Sequence, residues 1–305
     1  MYDVIIIGAG PAGVAASIYT VRREMKTLVI GQEVGGQIIW AGEIENYPGF
    51  KTISNFEFIS RLREHMIETG AELKEAEVQK IEKNGEIFTI YTNRDVFEAK
   101  SVIVTMGLSP RRLEIPGEIK FNGKGVSYCA NCDGPLYKGK TVAVIGSGNS
   151  ALDAAELMSK IANKVYMLVR GDKFKGFDGL VEEVEARENI EVLFNTQTVE
   201  ITGKDKVTGI KVKNKETDQE QELALDGVFV EIGRIAKTDL VGDLVDRDDN
   251  QQIIVNERCE TRTPGLFAAG DVTTVEFKQI TIAMGQATTA ALVAYQYLLE
   301  KKKQQ

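Results

Sequence analysis

Residues 1–23 read MYDVIIIGAGPAGVAASIYTVRR. The short β-branched run at 4–7 has the composition of a parallel strand covered on both faces, because such strands read as continuous apolar runs. Three glycines follow in the spacing G-x-G-x-x-G: Gly8, Gly10 and Gly13, with Ala12 before the last. Missing side chains there let backbone N–H groups approach a pyrophosphate at the positive end of a helix. The spacing alone is a weak signal, but its setting is right. A strand precedes it, a helical pattern follows, and KTLVIG at 26–31 supplies a second strand at βαβ distance. One expected feature is missing: the acid that usually holds a ribose at the end of the second strand is replaced by Gly31, with Gln32 and Glu33 just beyond. Either Glu33 substitutes for it or the nucleotide is held differently.

KTVAVIGSGNSALDAAELMSK at 140–160 repeats the pattern. Gly146, Gly148 and Ala151 form G-x-G-x-x-A around Asn149 and Ser150, and KVYMLVR at 164–170 follows as the next strand. Two dinucleotide folds in one chain imply two nucleotides. Near the end, TPGLFAAGD at 263–271 reads as a strand closing on Gly270 and Asp271, followed by a helical pattern over 280–299. That segment is expected to return and complete the first domain. The fold class is therefore α/β, with two Rossmann-like dinucleotide-binding domains, the second inserted in the first. The expected domains are 1–113 with 243–305, and 114–242, with links near 110–116 and 233–242. Residues 88–107 read as a hairpin feeding a buried strand, and 188–214 have the same look.

Bulk properties agree with a soluble α/β chain: 305 residues, 43% hydrophobic, 27% charged and 29 glycines. No run approaches the roughly 20 apolar residues of a spanning helix. The first strand begins at residue 2, which leaves no room for a signal peptide, so a cytoplasmic protein without membrane partners is expected. A formal charge of −8 and the lack of a basic stripe interleaved with aromatics argue against nucleic acid.

YCANCDG at 128–134 holds Cys129 and Cys132 two residues apart, then Asp133. Three cysteines in a cytoplasmic chain do not make a disulfide framework, so the pair is metal-binding or redox-active. A closed zinc site needs about four ligands, and only Cys259 and His65 remain, at unrelated positions. No metal is expected. An inert buried pair is disfavoured by the polar neighbours Asn131 and Asp133.

The set GAGPAG (8–13), GGQ (35–37), IENYPGF (44–50), C-x-x-C-D-G, GSGNSA (146–151), LFAAGDV (266–272) and KQI (278–280) spans nearly the whole chain. In it the sequence resembles the low-molecular-weight thioredoxin reductases and the reductase portion of the alkyl hydroperoxide reductase flavoprotein. CDGPLYKGK (132–140) and FVEIG (229–233) look nearer the latter. The resemblance implies FAD in the discontinuous domain. Gly8, Gly10, Ala12 and Gly13 should lie under its pyrophosphate, with Ile30, Gly31, Gln32, Glu33, Gly35, Gly36, Gln37, Asn46, Gly270, Asp271, Lys278, Gln279 and Ile280 around it. A nicotinamide nucleotide should lie on Gly146, Gly148, Asn149, Ser150 and Ala151. Cys132 should face the flavin, Cys129 should attack the partner disulfide, and Asp133 should give and take the proton. A homodimer is implied by the resemblance only.

This set of parts suits one task. A nicotinamide releases two electrons as a hydride, a protein disulfide accepts two by thiolate exchange, and a flavin couples them. The redoxin domains of the peroxide-system protein are not in this sequence, so an external thioredoxin or redoxin-like protein is the expected acceptor. Arg170 and Lys175 stand where cations meet a 2′-phosphate, which favours NADPH, with NADH possible; Arg170 could equally be a solvated surface charge. Two alternatives stay open: a flavoprotein of the same fold with a donor such as ferredoxin, and a non-catalytic FAD-binding redox sensor. His65 and Cys259 are expected to play no catalytic part, and Trp40 to pack near the cofactor or in the core.

Overall fold

The computed structural model describes residues 1–40 and 43–304, with the backbone alone at Trp40, Glu43, Cys132 and Gln304. The chain divides into two compact units, Met1–Ser109 with Ile235–Gln305, and Pro110–Arg234.

The first unit is built on a sheet whose parallel part runs Glu72–Glu75, Thr27–Gly31, Tyr2–Ile7, Val96–Val104, with Leu266–Ala268 also paired to Val96–Val104. Two antiparallel strands, Ile87–Thr92 and Val78–Asn84, extend the other edge. The strand at 266–268 lies beside 102–104, so the C-terminal segment returns to the first fold. One face is covered by the helices Pro11–Val21 and Ile280–Gln304, which share a core rich in alanine: Ala12, Ala15 and Ala16 with Ala283, Ala287, Ala290 and Ala294. Residues 4–6 are fully buried, as a strand covered on both faces requires.

The second unit has a five-stranded parallel sheet in the order Val126–Ser127, Gly227–Val230, Thr141–Ile145, Lys164–Leu168, Ile190–Leu193. A three-stranded antiparallel sheet, Thr196–Gly203, Val207–Asn214 and Glu220–Ala224, accompanies it.

Both unit boundaries fall earlier than the sequence suggests, at 109/110 rather than 113/114 and at 234/235 rather than 242/243. Packing is the reason. Leu113 and Ile115 join the core of the second unit, whereas Ala236, Leu240, Val241 and Leu244 join a core of the first. Among the described residues no helix is long and apolar enough to cross a membrane.

Candidate active site

In the first unit the glycine turn separates the strand Tyr2–Ile7 from the helix Pro11–Val21. Gly8 has φ +112, and a Cβ there would stand 2.6 Å from the Thr105 carbonyl oxygen. A Cβ on Gly13 would stand 1.8 Å from the Gly8 oxygen, so helix and strand touch at backbone distance. Gly10 differs: its nearest neighbour to an added Cβ is Gly36 Cα at 3.7 Å. It is the helix N-cap, no side chain caps it, and no acid sits in the first turn. A helix start free of internal anions and open to approach fits a pyrophosphate.

The other expected flavin residues gather around this turn. Gly35 N–H donates to the Ala9 oxygen at 2.9 Å, and Gly270 packs on Ala12, where a Cβ would lie 3.2 Å from the Ala12 Cβ. Gln37 Nε2 donates to Asp271 Oδ2 at 3.1 Å, and Asn46 Nδ2 to Gln279 Oε1 at 3.2 Å. Lys278 Nζ donates to the main-chain oxygens of Asp271 at 3.2 Å and Thr273 at 2.7 Å. Burial pulls the Lys278 ammonium below its usual range, opposed by Asp271 and Asp248. Ile280 opens the last helix and Ile30 is buried. The missing acid also has an explanation: a Cβ on Gly31 would lie 2.9 Å from the Ala9 Cβ, so no side chain fits there. Gln32 and Glu33 are exposed beyond it. The Trp40 side chain lies outside the described residues.

In the second unit Gly146 has φ +149, and a Cβ there would meet the Glu231 oxygen at 2.3 Å and the Ala151 Cβ at 2.7 Å. Around Gly148 an added Cβ would find nothing within 4 Å. Gly148 is the N-cap of the helix Asn149–Ile161, again with no side-chain cap and no first-turn acid. The chain beyond Arg170 is laced to this turn: Lys175 N–H donates to the Ser147 oxygen and Phe177 N–H to Asn149 Oδ1, both at 2.8 Å. Arg170 and Lys175 are exposed beside it, as is Ser150, whereas Ala151 is fully buried.

The C-x-x-C belongs to the same unit. Cys129 precedes the short helix Ala130–Asp133; its N–H donates to Ser127 Oγ at 3.0 Å and its carbonyl accepts the Asp133 N–H at 3.2 Å. Cys129 is disulfide-bonded. The Cys132 side chain lies outside the described residues, and with it the role expected of that thiol. Asp133 is half-buried. Cys259 is a free, buried thiol whose pKa burial pushes up to about 11, and His65 is exposed on the helix Asn55–Glu68.

Two acids near the disulfide are absent from the sequence reading. Glu118, 1% exposed, accepts the N–H groups of Leu113 and Glu114 and the hydroxyl of Tyr128, each at 2.8 Å. Burial and that bond push the Tyr128 hydroxyl well above its usual range. Glu231 follows the strand Gly227–Val230, and burial pushes its carboxyl up to about 7, opposed by Arg234 and by the N–H of Ala130. Its only sequence signal is a lone acid closing an apolar strand, GVFVE.

Two dinucleotide folds, one carrying a disulfide-bonded C-x-x-C cysteine, define a two-nucleotide flavoprotein oxidoreductase architecture. A family model described as pyridine nucleotide-disulphide oxidoreductase matches residues 2–287, and the chain belongs to that family. It is 39% identical over 299 residues, 98% of its length, to a protein named NADH dehydrogenase from Bacillus subtilis. It is 37% identical over 302 residues to an alkyl hydroperoxide reductase of Staphylococcus aureus, again over 98% of its length. It covers 59% of each of these, so the chain spans about three fifths of the length of the curated relatives it matches. Among solved structures, thioredoxin reductase from Lactococcus lactis superposes with a TM-score of 0.84 at 38% identity, covering 98% of this chain and 100% of that one. The family implies FAD and a nicotinamide cofactor.

Proposed function

We propose that this chain is an NADPH-driven, FAD-dependent protein-disulfide reductase, whose acceptor is a thioredoxin or redoxin-like protein. The observation that carries the reading is the disulfide-bonded Cys129 in the unit whose open Gly148 turn fits a nucleotide pyrophosphate. The first unit is assigned FAD, held over Gly8, Gly10, Ala12 and Gly13 by the cluster of Gln37, Asn46, Asp271 and Lys278. When bound, FAD couples two-electron hydride chemistry to thiol–disulfide exchange. Cys129 attacks the acceptor disulfide, and Cys132, its proposed partner, resolves the mixed disulfide. Asp133, one residue beyond Cys132, holds the proton exchanged there. Arg170 and Lys175 favour a 2′-phosphate, hence NADPH over NADH. The open second turn favours a nucleotide over ferredoxin as donor. The resemblance extends the reading to a homodimer, and the sparse cysteines to a reducing, cytoplasmic setting.

The test is an anaerobic titration of the yellow protein with NADPH and, separately, NADH, following flavin absorbance and free thiols. Bleaching at low stoichiometry with two new thiols, more readily by NADPH, is the expected result. Failure of both nucleotides, while dithionite still opens the disulfide, would refute the nucleotide-driven reading.

A further inference from the structure

The strand Gly227–Val230 lies between two others, with Ser127 opposite Phe229 on one side and Ile145 opposite Val230 on the other. Carried forward, these registers set Glu231 between Cys129 and Gly146 at the carboxyl ends of the strands. Its backbone is fixed there. Glu231 N–H donates to the Ile145 oxygen at 2.9 Å, and its own oxygen would lie 2.3 Å from a Cβ on Gly146. Its side chain turns to the disulfide: the N–H of Ala130, the residue after Cys129, donates to the carboxylate. Arg234 is the cation facing it. On the helix Ala130–Asp133 the ionisable groups are Cys132 and Asp133, and the strands Val126–Ser127 and Thr141–Ile145 carry none.

We propose that Glu231 is a positioning residue of the disulfide: ionised, it holds the Cys129–Ala130 turn and opposes a thiolate at Cys129, and it takes up a proton as that thiolate forms. Reduction breaks one S–S bond and adds two electrons, which the nicotinamide nucleotide supplies in the reaction proposed above. One of the two accompanying protons ends on a thiol; the other resides on Glu231 while its neighbour is a thiolate. Burial, which brings the carboxyl into the neutral range, makes that uptake available at working pH. The inference rests on the disulfide-reductase reading.

The experiment uses flavin-loaded Cys132→Ser protein, in which Cys129 is left as a thiol. Its alkylation by iodoacetamide is followed by peptide mass from about pH 5.5 to about pH 9.5, so that the rate reports the thiolate fraction. A rate profile with two inflections, one of them near 7, is expected. With Glu231→Gln added, the inflection near 7 disappears and the reaction at about pH 8 runs about threefold faster. Losing the charge lowers the thiol pKa by about one unit, roughly tenfold more thiolate, and the weaker nucleophile returns about threefold of that. Glu231→Ala, which cannot accept the Ala130 N–H, should reproduce the loss of the inflection. Superimposable profiles in all three proteins overturn the proposal, as does a change confined to Glu231→Ala, which would leave only a structural bond. The alkylation needs no turnover, so it stands apart from the nucleotide titration, and either reading can fail without the other.

Discussion

In the first unit the strand Val96–Val104 runs beside Tyr2–Ile7 and hands over to Thr105, whose N–H donates to the Ile7 oxygen at 2.7 Å. In the second, Gly227–Val230 runs beside Thr141–Ile145 and hands over to Glu231, bonded to the Ile145 oxygen in the same way. Each presses its carbonyl on the first glycine of its turn. The side chains then part company. Thr105 is buried and closes its hydroxyl on the oxygens of Ile7 and Gly8, both at 3.0 Å, whereas Glu231 directs a carboxylate at the turn that carries the disulfide. One backbone frame is self-satisfied where it meets one nucleotide turn, and ionisable where it also meets a disulfide. The third turn position differs as well. Gly13 has a carbonyl where its Cβ would be, whereas Ala151 takes a Cβ and is fully buried.

That last contrast carries the largest expected effect. Gly13→Ala drives a Cβ against a main-chain oxygen that cannot swing away, and should cost more than about 3 kcal/mol of the first unit's stability. The reciprocal change, Ala151→Gly, removes a helix-favouring residue from a site with room for it and should cost only about 1 kcal/mol. Urea unfolding monitored separately for each unit measures both; similar small losses would mean that the two turns pack alike.

The Thr105/Glu231 contrast is sharpened by pH. The Glu231 carboxyl is held at about 7 in the fold against an ordinary value of 4.5, so between those values the folded chain binds the extra proton. Its contribution is fully present below about pH 4.5 and is lost as pH rises through about 7. At about 1.4 kcal/mol per pH unit, discounted for partial exposure, native protein should lose about 2 kcal/mol relative to Glu231→Gln between pH 5 and pH 8. Thr105→Val should show no such slope against native protein. Parallel stability curves for native protein and Glu231→Gln would remove the distinction.

How much of this could be read without coordinates depended on how local the constraint was. The glycine spacings at 8–13 and 146–151 were legible because a strand-to-helix turn that touches its own strand admits no side chain, and the return of 266–268 to the first sheet because an apolar strand closing on Gly270 and Asp271 fits nowhere else. The absent acid at Gly31 was visible as an anomaly, but its cause, the Ala9 Cβ across the sheet, was not. Nor was the Gln37–Asp271 bond, which joins residues far apart in sequence. Glu118 and Glu231 stayed hidden because a charged letter reads as surface until three donors or a neighbouring strand bury it. The unit boundaries slipped for a related reason: Leu113 and Val241 look alike as apolar residues in links, and only packing assigns them to opposite units.

The smallest effect tests whether the turns hold nucleotides at all. Gly148 has φ −92 and ψ −178, extended backbone that alanine adopts freely, and its added Cβ would meet nothing within 4 Å. Gly148→Ala should therefore change stability by less than about 1 kcal/mol, the modest penalty of alanine at an N-cap. If a pyrophosphate lies on this turn, the methyl group stands between it and the helix N–H groups, and NADPH should bind about tenfold more weakly, about 1.4 kcal/mol. Calorimetric titration of folded variant and native protein with NADPH separates the two quantities. Because the protein itself leaves that space empty, a loss of affinity without a loss of stability can only report a ligand that occupies it, and unchanged affinity would remove the nucleotide from the turn.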